Sequence, residues 1–203
     1  MGWRQRRRSE SWHALAARQA KFARGAGALV HLQFALNYLA RAHLVAGELD
    51  RAALMIEEDR MIAEATGNVP VAHNAVMLAA WRGREREASE LIEATLQGAA
   101  AGGQGRLVSF TDCASAVLYN GLGQHDAARD AAQRAFERDQ LGYGPLVVPE
   151  LAEAAARTGD ITQLTTVLEW LSERTGVAPT EWALGIENRI RALLSDGEAA
   201  DSY

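Results

Sequence analysis

Side chains capable of metal binding or acid–base chemistry are spread thinly along this chain. The candidate ligands and nucleophiles are His13, His31, His43, His73, His125 and Cys113. No two histidines lie three or four residues apart, so no helix can present a histidine pair to a metal ion. Cys113 lacks the sequence context of a cysteine protease, and we expect it to be a buried apolar residue. We therefore predict no catalytic residue, no metal site and no cofactor, and interpret the chain as a non-enzyme.

Two glycines in the segment AVLYNGLGQHDAARDA, residues 116–131, raise the question of a phosphate-binding loop. A Walker A loop needs a lysine after its last glycine to reach the phosphates. The only lysine of this chain, Lys21, lies far upstream. A dinucleotide fingerprint needs a preceding strand, which the pattern does not indicate. Gly121 and Gly123 are therefore interpreted as part of a turn between two packed helices.

Turn glycines recur with a nearly regular period. Apolar residues follow helical spacing almost throughout, and the pattern breaks at Gly47, Gly83, Gly123, Gly159 and Gly197, which are 36, 40, 36 and 38 residues apart. Such a period is typical of stacked helical hairpins, and tetratricopeptide repeats have about 34 residues. Mostly small residues stand seven positions before and five positions after the first four glycines. The sequence predicts an all-α fold, a right-handed α-solenoid of tetratricopeptide-like hairpins with about nine to ten helices.

In tetratricopeptide-like arrays the first helix of each hairpin lines a groove, and its polar residues are candidates for binding. We selected polar residues ten, nine or six positions before the turn glycines, and added Asn120 one turn further along its helix. The candidate groove-binding residues are Asn37, Arg41, His73, Asn74, Asn120, Glu150, Glu153, Glu187 and Arg191. Simple solvation of exposed helices is the alternative interpretation. Their mixed charges argue against one strongly charged ligand, so a protein partner or a small-molecule ligand is predicted.

Composition limits the classes of partner. The 203-residue chain is 48% hydrophobic and has a formal net charge of -5. An acidic balance disfavours direct nucleic-acid binding, and no apolar run approaches the roughly 20 residues that span a bilayer. A single cysteine suits a reducing compartment. We expect a cytoplasmic protein that binds neither nucleic acid nor membrane.

The chain is expected to hold one repeat domain. Residues 1–9 include four arginines and are predicted to form a basic disordered tail, whereas residues 10–203 form a single tetratricopeptide-like domain whose first helix spans about Ser11 to Arg24. The segment 97–105, QGAAAGGQG, is expected to be a surface loop. The tryptophans expected in the core are Trp81, Trp170 and Trp182. Unpaired helices at both ends of the array predict exposed apolar faces, and hence a homo-oligomer.

Longer phrases of the sequence carry a family resemblance. They include SWHALAARQAKFARGAGAL, ALNYLARAHLVAGELDRAALMIEE, LAAWRGREREASELIEAT, AVLYNGLGQHDAA, EAAARTGD and WALGIENRIRALLSDGEAA. Over residues 10 to 200 the chain resembles the helical-repeat region of the large ATP-binding LuxR-family transcriptional regulators of actinobacteria. In that family an ATPase module precedes a long helical sensor, and a C-terminal helix-turn-helix domain binds DNA.

The resemblance implies a non-catalytic sensor or protein-interaction module. The positions that bind ATP and DNA in the family have no counterparts in this sequence, so no such residue is carried over. The expected module is related to these regulators and lacks its own ATPase and DNA-binding domains. It is expected to present a groove to a peptide, a small ligand or another regulator subunit. Three alternatives stay open: a stand-alone tetratricopeptide adaptor without a transcriptional role, a non-functional regulator fragment, and a helical enzyme with an unrecognised site.

Overall fold

The computed structural model describes residues 3–69, 72–102, 105–138 and 144–195. Within these ranges the chain forms ten α-helices and no strand. The predicted all-α class and the predicted helix count are therefore confirmed. Both follow from apolar residues repeated every three or four positions, because that spacing gives a helix one face to bury.

Short turns connect successive helices along the chain. In chain order the helices are α1 (Trp3–Gly25), α2 (Leu29–Val45), α3 (Leu49–Thr66), α4 (His73–Trp81), α5 (Glu85–Gly102), α6 (Gly105–Gly121), α7 (His125–Arg138), α8 (Gly144–Thr158), α9 (Ile161–Val177) and α10 (Glu181–Leu194). Turns of two or three residues connect α2 to α3, α4 to α5, α6 to α7 and α8 to α9. We refer to α2, α4, α6, α8 and α10 as first helices.

A glycine with positive φ lies in each of these four turns. The glycines are Gly47, Gly83, Gly123 and Gly159, with φ between 64° and 74°. This left-handed region costs little for glycine but disfavours residues that carry a Cβ atom. The predicted turn positions are thus confirmed for four of the five glycines. The fifth, Gly197, lies outside the described residues.

Gly123 shows how the turn is held. Its N–H donates to the carbonyl of Asn120 at 3.0 Å, and the next N–H, of Gln124, donates to the carbonyl of Tyr119 at 2.8 Å. This pair of bonds is the Schellman pattern, which satisfies carbonyls that a helix leaves unpaired at its C-terminus. The interpretation of Gly123 as a hinge between packed helices is confirmed.

A further glycine turn was not expected from the period. Gly27, between α1 and α2, has a φ of 64°. Its N–H donates to the carbonyl of Arg24 at 3.2 Å, and that of Ala28 donates to the carbonyl of Ala23 at 2.9 Å. Gly27 lies between α1 and the first helix α2, whereas the other turn glycines each follow a first helix. It therefore falls outside the series that begins at Gly47.

Mostly small side chains at fixed distances from the turns are buried. The residues at these positions are Ala40, Val76, Ala116 and Ala152 before the glycines, and Ala52, Ala88, Ala128 and Leu164 after them. None of the eight is more than 2% exposed. A larger side chain at such a site would have to displace a packed neighbour, because protein interiors leave little free volume.

The chain divides into two compact units, and the first is Met1–Arg82. Within it α2 packs against α1, α3 and α4. One core cluster joins alanines of α1 to leucines of α2 and to Ile62 of α3. A second cluster contains Leu44, Ala52 and Leu78. Helix α2 therefore lies at the centre of this unit.

The second unit is Gly83–Tyr203. Here α6 packs against α5, α7 and α8, and α8 packs against α9 and α10. Helix α7 buries five residues along one face, Ala128, Ala131, Ala132, Ala135 and Phe136. Because four of these side chains are only methyl groups, neighbouring helices can approach α7 closely.

Three local expectations need correction. The segment 97–105 is not one loop, because α5 continues through Gly102; three consecutive alanines, which favour helix more than any other residue, explain the extension. Helix α1 begins at Trp3 and not near Ser11. Trp81 and Trp182 are 39% and 45% exposed, so neither lies in the core.

Three further predictions concern the chain as a whole. No described helix is both long and apolar enough to cross a bilayer. The division into a tail, residues 1–9, and one repeat domain, residues 10–203, stays a prediction. The solenoid arrangement likewise stays a prediction at this point.

Candidate functional site

Two of the predicted residues form a hydrogen-bonded clamp in the first unit. The side-chain Nδ2 of Asn74, near the start of α4, donates to the main-chain carbonyl of Asn37 on α2 at 2.8 Å. The same nitrogen donates to the Asn37 Oδ1 at 2.8 Å. Asn74 is only 6% exposed. Its side-chain amide therefore bonds to α2 and holds α4 against that helix.

A second clamp of the same kind occurs in the other unit. The Asn120 Nδ2, at the end of α6, donates to the main-chain carbonyl of Glu150 on α8 at 2.9 Å and to its Oε2 at 2.9 Å. The Asn120 Oδ1 lies 3.4 Å from the His125 Nδ1 across the Gly123 turn. One amide therefore ties α6 to α8 and contacts the start of α7.

The two clamps share one arrangement. In each, an asparagine on one first helix reaches the backbone and the side-chain oxygen of a single residue on the adjacent first helix. Helix surfaces otherwise offer few backbone groups to a neighbour, since their carbonyls are already bonded within the helix. All four residues, Asn37, Asn74, Asn120 and Glu150, are predicted from the sequence as ligands of a groove and not as partners of each other.

Glu153 links α8 to α10. Its Oε1 accepts from the Arg157 Nε at 2.9 Å, and its Oε2 accepts from an Arg189 guanidinium nitrogen at 2.5 Å. Partial burial works against ionisation, yet the hydrogen bonds and positive charges of these two arginines keep the pKa of Glu153 below its usual value. Arg189, which the sequence analysis did not select, lies two residues before the selected Arg191.

Glu187 and Arg191 belong to a polar cluster between α9 and α10. The Glu187 carboxylate accepts from the hydroxyls of Thr175 and Ser172 and from the Arg191 guanidinium, the last two at 2.8 and 2.5 Å. It is only 8% exposed. The hydroxyl of Thr175 and the guanidinium of Arg191 lower the pKa of Glu187, against the opposing effect of burial. The cluster therefore holds a buried carboxylate in its charged form.

Arg41 and His73 form the more accessible part of the predicted set in the first unit. Arg41 is exposed on α2, and His73 is half-buried at the start of α4. Burial, and then the positive charge of Arg41, lower the pKa of His73. His73 therefore favours its neutral form near pH 7.

Helix α2 carries an exposed apolar surface that the sequence pattern did not predict. Val30, Phe34, Tyr38, Arg41 and Val45 follow one another at helical spacing, and we call this set the α2 stripe. The four apolar members are 51%, 60%, 50% and 70% exposed in that order. Tyr38 stands nine positions before Gly47, at the same distance as Asn74 from Gly83, but the prediction covers only the smaller polar and the charged residue types. Exposed aromatic residues beside an arginine are the residue types enriched where proteins bind one another.

The site residues fall into two separate groups. Asn37, Arg41, His73 and Asn74 belong to the first unit, and Asn120, Glu150, Glu153, Glu187 and Arg191 belong to the second. Cys113 is buried, as expected. The described residues include no group of three or more potential metal ligands. Whether the selected residues bind a partner stays a prediction.

Comparisons of the chain with protein-family models, with curated proteins and with solved structures give no match. The resemblance to the helical-repeat region of LuxR-family regulators stays a prediction.

Proposed function

We propose that this chain is a non-catalytic helical-repeat module that binds another protein through the α2 stripe. In this proposal its hairpins stack as a right-handed tetratricopeptide-like solenoid in the cytoplasm. The single observation that carries the proposal is the exposed row of four large apolar side chains around Arg41 on a first helix. Water contact with so much apolar surface is unfavourable, and covering it by a partner would release that free energy.

The packing around the stripe supports a binding role. Helix α2 is held from behind by the core cluster of α1 and α3, and from the side by the clamp between Asn37 and Asn74. Side chains on a fixed helix lose little further freedom on binding, which favours affinity. The clamp residues thus support the surface, while Arg41, His73, Phe34 and Tyr38 are its contact residues.

The charge of α2 indicates what kind of segment would fit. Helix α2 contains no aspartate or glutamate, and its exposed cation is Arg41. An apolar protein segment that also carries a carboxylate would complement this surface, because the carboxylate can accept a charge-assisted hydrogen bond from the arginine. Such partners commonly present an amphipathic helix to a surface of this kind.

We further propose that the module is related to LuxR-family regulators and works with a separate subunit that carries the ATPase or the DNA-binding domain. The support is the set of sequence phrases over residues 10 to 200. The alternatives are a stand-alone adaptor without a transcriptional role and a non-functional fragment.

The test is an affinity purification of the tagged chain from an extract of its own cells, read by mass spectrometry. The wild-type chain is compared with a Phe34→Ser, Arg41→Ala double variant. A matched control is Ile161→Ser, which removes an apolar side chain of similar exposure, 56%, from the other unit. Circular dichroism of all three chains verifies that each remains helical.

We expect specific proteins to be lost only from the stripe variant. Recovery of an ATPase or a helix-turn-helix protein among them would support the regulator relationship, and recovery of other partners would favour the adaptor. Equal recovery by the wild-type chain and the stripe variant would contradict the role of the α2 stripe. A wild-type chain that recovers nothing above background would contradict the protein-binding function itself.

A further inference from the structure

Two histidines from different helices lie side by side in the first unit. The rings of His13 on α1 and His43 on α2 have centres 5.0 Å apart and planes at 76° to each other. The two residues are distant in the sequence and meet only because α1 packs against α2. Spacing within a single helix, on which the expectation of no metal site was based, does not reveal such a pair. Two adjacent imidazoles are a candidate metal site, since imidazole is the commonest metal ligand in proteins.

The packing of α1 on α2 explains why these side chains meet. His13 lies three positions before Ala16, and His43 lies four positions after Leu39. Ala16 and Leu39 belong to the same core cluster, so each histidine continues the buried face of its helix. His43 is 8% exposed, whereas His13 is open to solvent. The pair therefore lies at the edge of the core, where an ion can enter from water.

A carboxylate fixes the orientation of the His43 ring. The His43 Nδ1 lies 2.6 Å from the Glu48 Oε2, across the Gly47 turn. The other carboxylate oxygen of Glu48 accepts from an Arg51 guanidinium nitrogen at 3.1 Å. The hydrogen bond to His43 is the main cause that lowers the pKa of Glu48, so near pH 7 this carboxylate is ionised and can only accept. Nδ1 therefore carries the proton and donates it, and the lone pair of the neutral ring is on Nε2.

The contact between Glu48 and His43 has the form found around metal-binding histidines. Such a histidine almost always donates its other ring N–H to a carboxylate, a carbonyl or water, which fixes the ring and makes the ligating nitrogen more basic. Among the described residues, neither the His43 Nε2 nor the His13 ring has a hydrogen-bond or ion-pair partner. A ligating nitrogen is thus available on each ring.

The separation of the two rings matches that of two ligands of one ion. Imidazole nitrogens bind Zn²⁺ at about 2.0–2.1 Å, and tetrahedral geometry then places the ring centres about 5 Å apart. The observed separation is 5.0 Å. Because no bond holds the exposed His13 ring, it can turn about its side-chain torsions to direct a nitrogen at an ion on the His43 Nε2.

From this geometry we propose that His13 and His43 form a site for a divalent transition-metal ion of the class that imidazole prefers, represented by Zn²⁺. Glu48 is a positioning residue that holds the His43 ring. The described residues include no group of three potential ligands, so the other coordination positions are left to water. The ion joins α1 to α2 near the C-terminal end of α2, and its binding stabilises the contact between these helices.

This site uses none of the residues of the α2 stripe. Metal binding and partner capture are therefore measured by separate variants, and either proposal can fail without the other. The metal also does not make the chain an enzyme, because its role here is to link two helices.

The test is isothermal titration calorimetry of the full chain with zinc chloride, on protein prepared without a histidine tag. One variant is His13→Ala, which changes an exposed side chain. The other is Glu48→Gln, which keeps the size of the side chain and removes its charge. The matched control is His31→Ala, which removes an exposed histidine from α2. Circular dichroism establishes that the variants are folded.

We expect the wild-type chain and the control to bind one Zn²⁺ ion with the same affinity. Glu48→Gln should bind about 10–100-fold more weakly, as is typical when a ligand loses its hydrogen-bond partner. His13→Ala removes a ligand and should lose at least as much. Zn²⁺ should also raise the melting temperature of the wild-type chain but not that of His13→Ala, since an ion that binds only the folded chain stabilises it.

A second measurement needs no variant. In a nuclear magnetic resonance spectrum of the histidine rings, one equivalent of Zn²⁺ should change the signals of His13 and His43 and leave those of His73 and His125 in place. A wild-type chain that binds no Zn²⁺, equal affinities of the wild-type chain and His13→Ala, or ring signals that change only at other histidines would overturn the proposal.

Discussion

The side-chain amide of Asn74 bonds simultaneously to the main-chain carbonyl and to the side-chain carbonyl of Asn37, at 2.8 Å in both cases. The two residues are 37 positions apart and lie on adjacent first helices. A single nitrogen thus links α4 to both the backbone and the surface of α2. Mutation of each residue in turn can therefore separate what the donor and the acceptor contribute to the free energy of unfolding.

Replacement of Asn74 by Ala should lower the free energy of unfolding by about 1–2 kcal/mol, because it removes the donor of both bonds at a buried position. Replacement of Asn37 by Ala removes only the Oδ1 acceptor and leaves the backbone carbonyl in place. We expect it to cost less than Asn74→Ala, and Asn74→Asp to cost more, since a carboxylate oxygen would then face the carbonyl. Urea unfolding measures all three. Equal costs for Asn37→Ala and Asn74→Ala would argue against the clamp.

The backbone conformation of Gly123 predicts that alanine at this position destabilises the chain. Its φ is +73°, and a Cβ atom added there would meet nothing within 4 Å. Gly123→Ala should therefore cost about 1–2 kcal/mol from the left-handed backbone alone. Gly121→Ala, two residues earlier in ordinary helix and also free of neighbours within 4 Å, is the control and should be neutral or slightly stabilising. Thermal melting compares the two, and equal melting temperatures would contradict the assignment.

Glu187 predicts a loss of stability in acid. Its pKa lies below the ordinary value of 4.5 in the folded chain, because Thr175 and Arg191 donate hydrogen bonds to its carboxylate. The unfolded chain then binds more protons between the two pKa values, so this stabilisation is complete above pH 4.5 and is lost as pH falls through the folded-state pKa. Glu187→Gln should unfold more easily at pH 7, by about 1–2 kcal/mol, and should reduce the dependence on pH below 4.5. A variant with unchanged acid dependence would count against the cluster.

The lowered pKa of His73 predicts that stability also depends on pH at milder values. Burial, together with the charge of Arg41, lowers its pKa from the ordinary 6.5. The folded chain therefore favours the neutral ring, and stability falls as pH decreases from 6.5 through the folded-state pKa, where the unfolded chain takes up a proton first. Arg41→Gln should raise the pKa of His73 part of the way towards 6.5, because burial, the larger cause, remains. A nuclear magnetic resonance titration of the His73 ring measures this directly, and an unchanged pKa would show that the two residues do not interact.

Most of the fold could be predicted because its signals are local. The glycine period located the hairpin turns at Gly47, Gly83, Gly123 and Gly159, and the small residues around them proved to be buried. The turn at Gly27 was missed because it breaks the period. Helix α5 was predicted too short because Gly98 and its neighbours suggested a loop, whereas the adjacent alanines continue the helix.

The candidate site could be predicted only in part. The offsets from the turn glycines found Asn37, Asn74, Asn120 and Glu150, yet gave no indication that these residues bond in pairs across 37 and 30 positions. Phe34 and Tyr38 were not predicted as site residues, because an apolar residue in a helical pattern is usually buried. Exposure of such a residue depends on which neighbouring helix covers it, and that is not a property of the segment itself.

By itself, the sequence determined the all-α class, the number of helices and the positions of their turns. Each of these depends on residues within a few positions of one another, through helical spacing and the left-handed conformation that glycine permits. Only the tertiary structure decided which polar side chains hold the first helices together and which surfaces of α1, α2 and α3 stay exposed. Those outcomes depend on the approach of helices that are distant in sequence, because a side chain is buried or bonded only by what the rest of the chain brings against it.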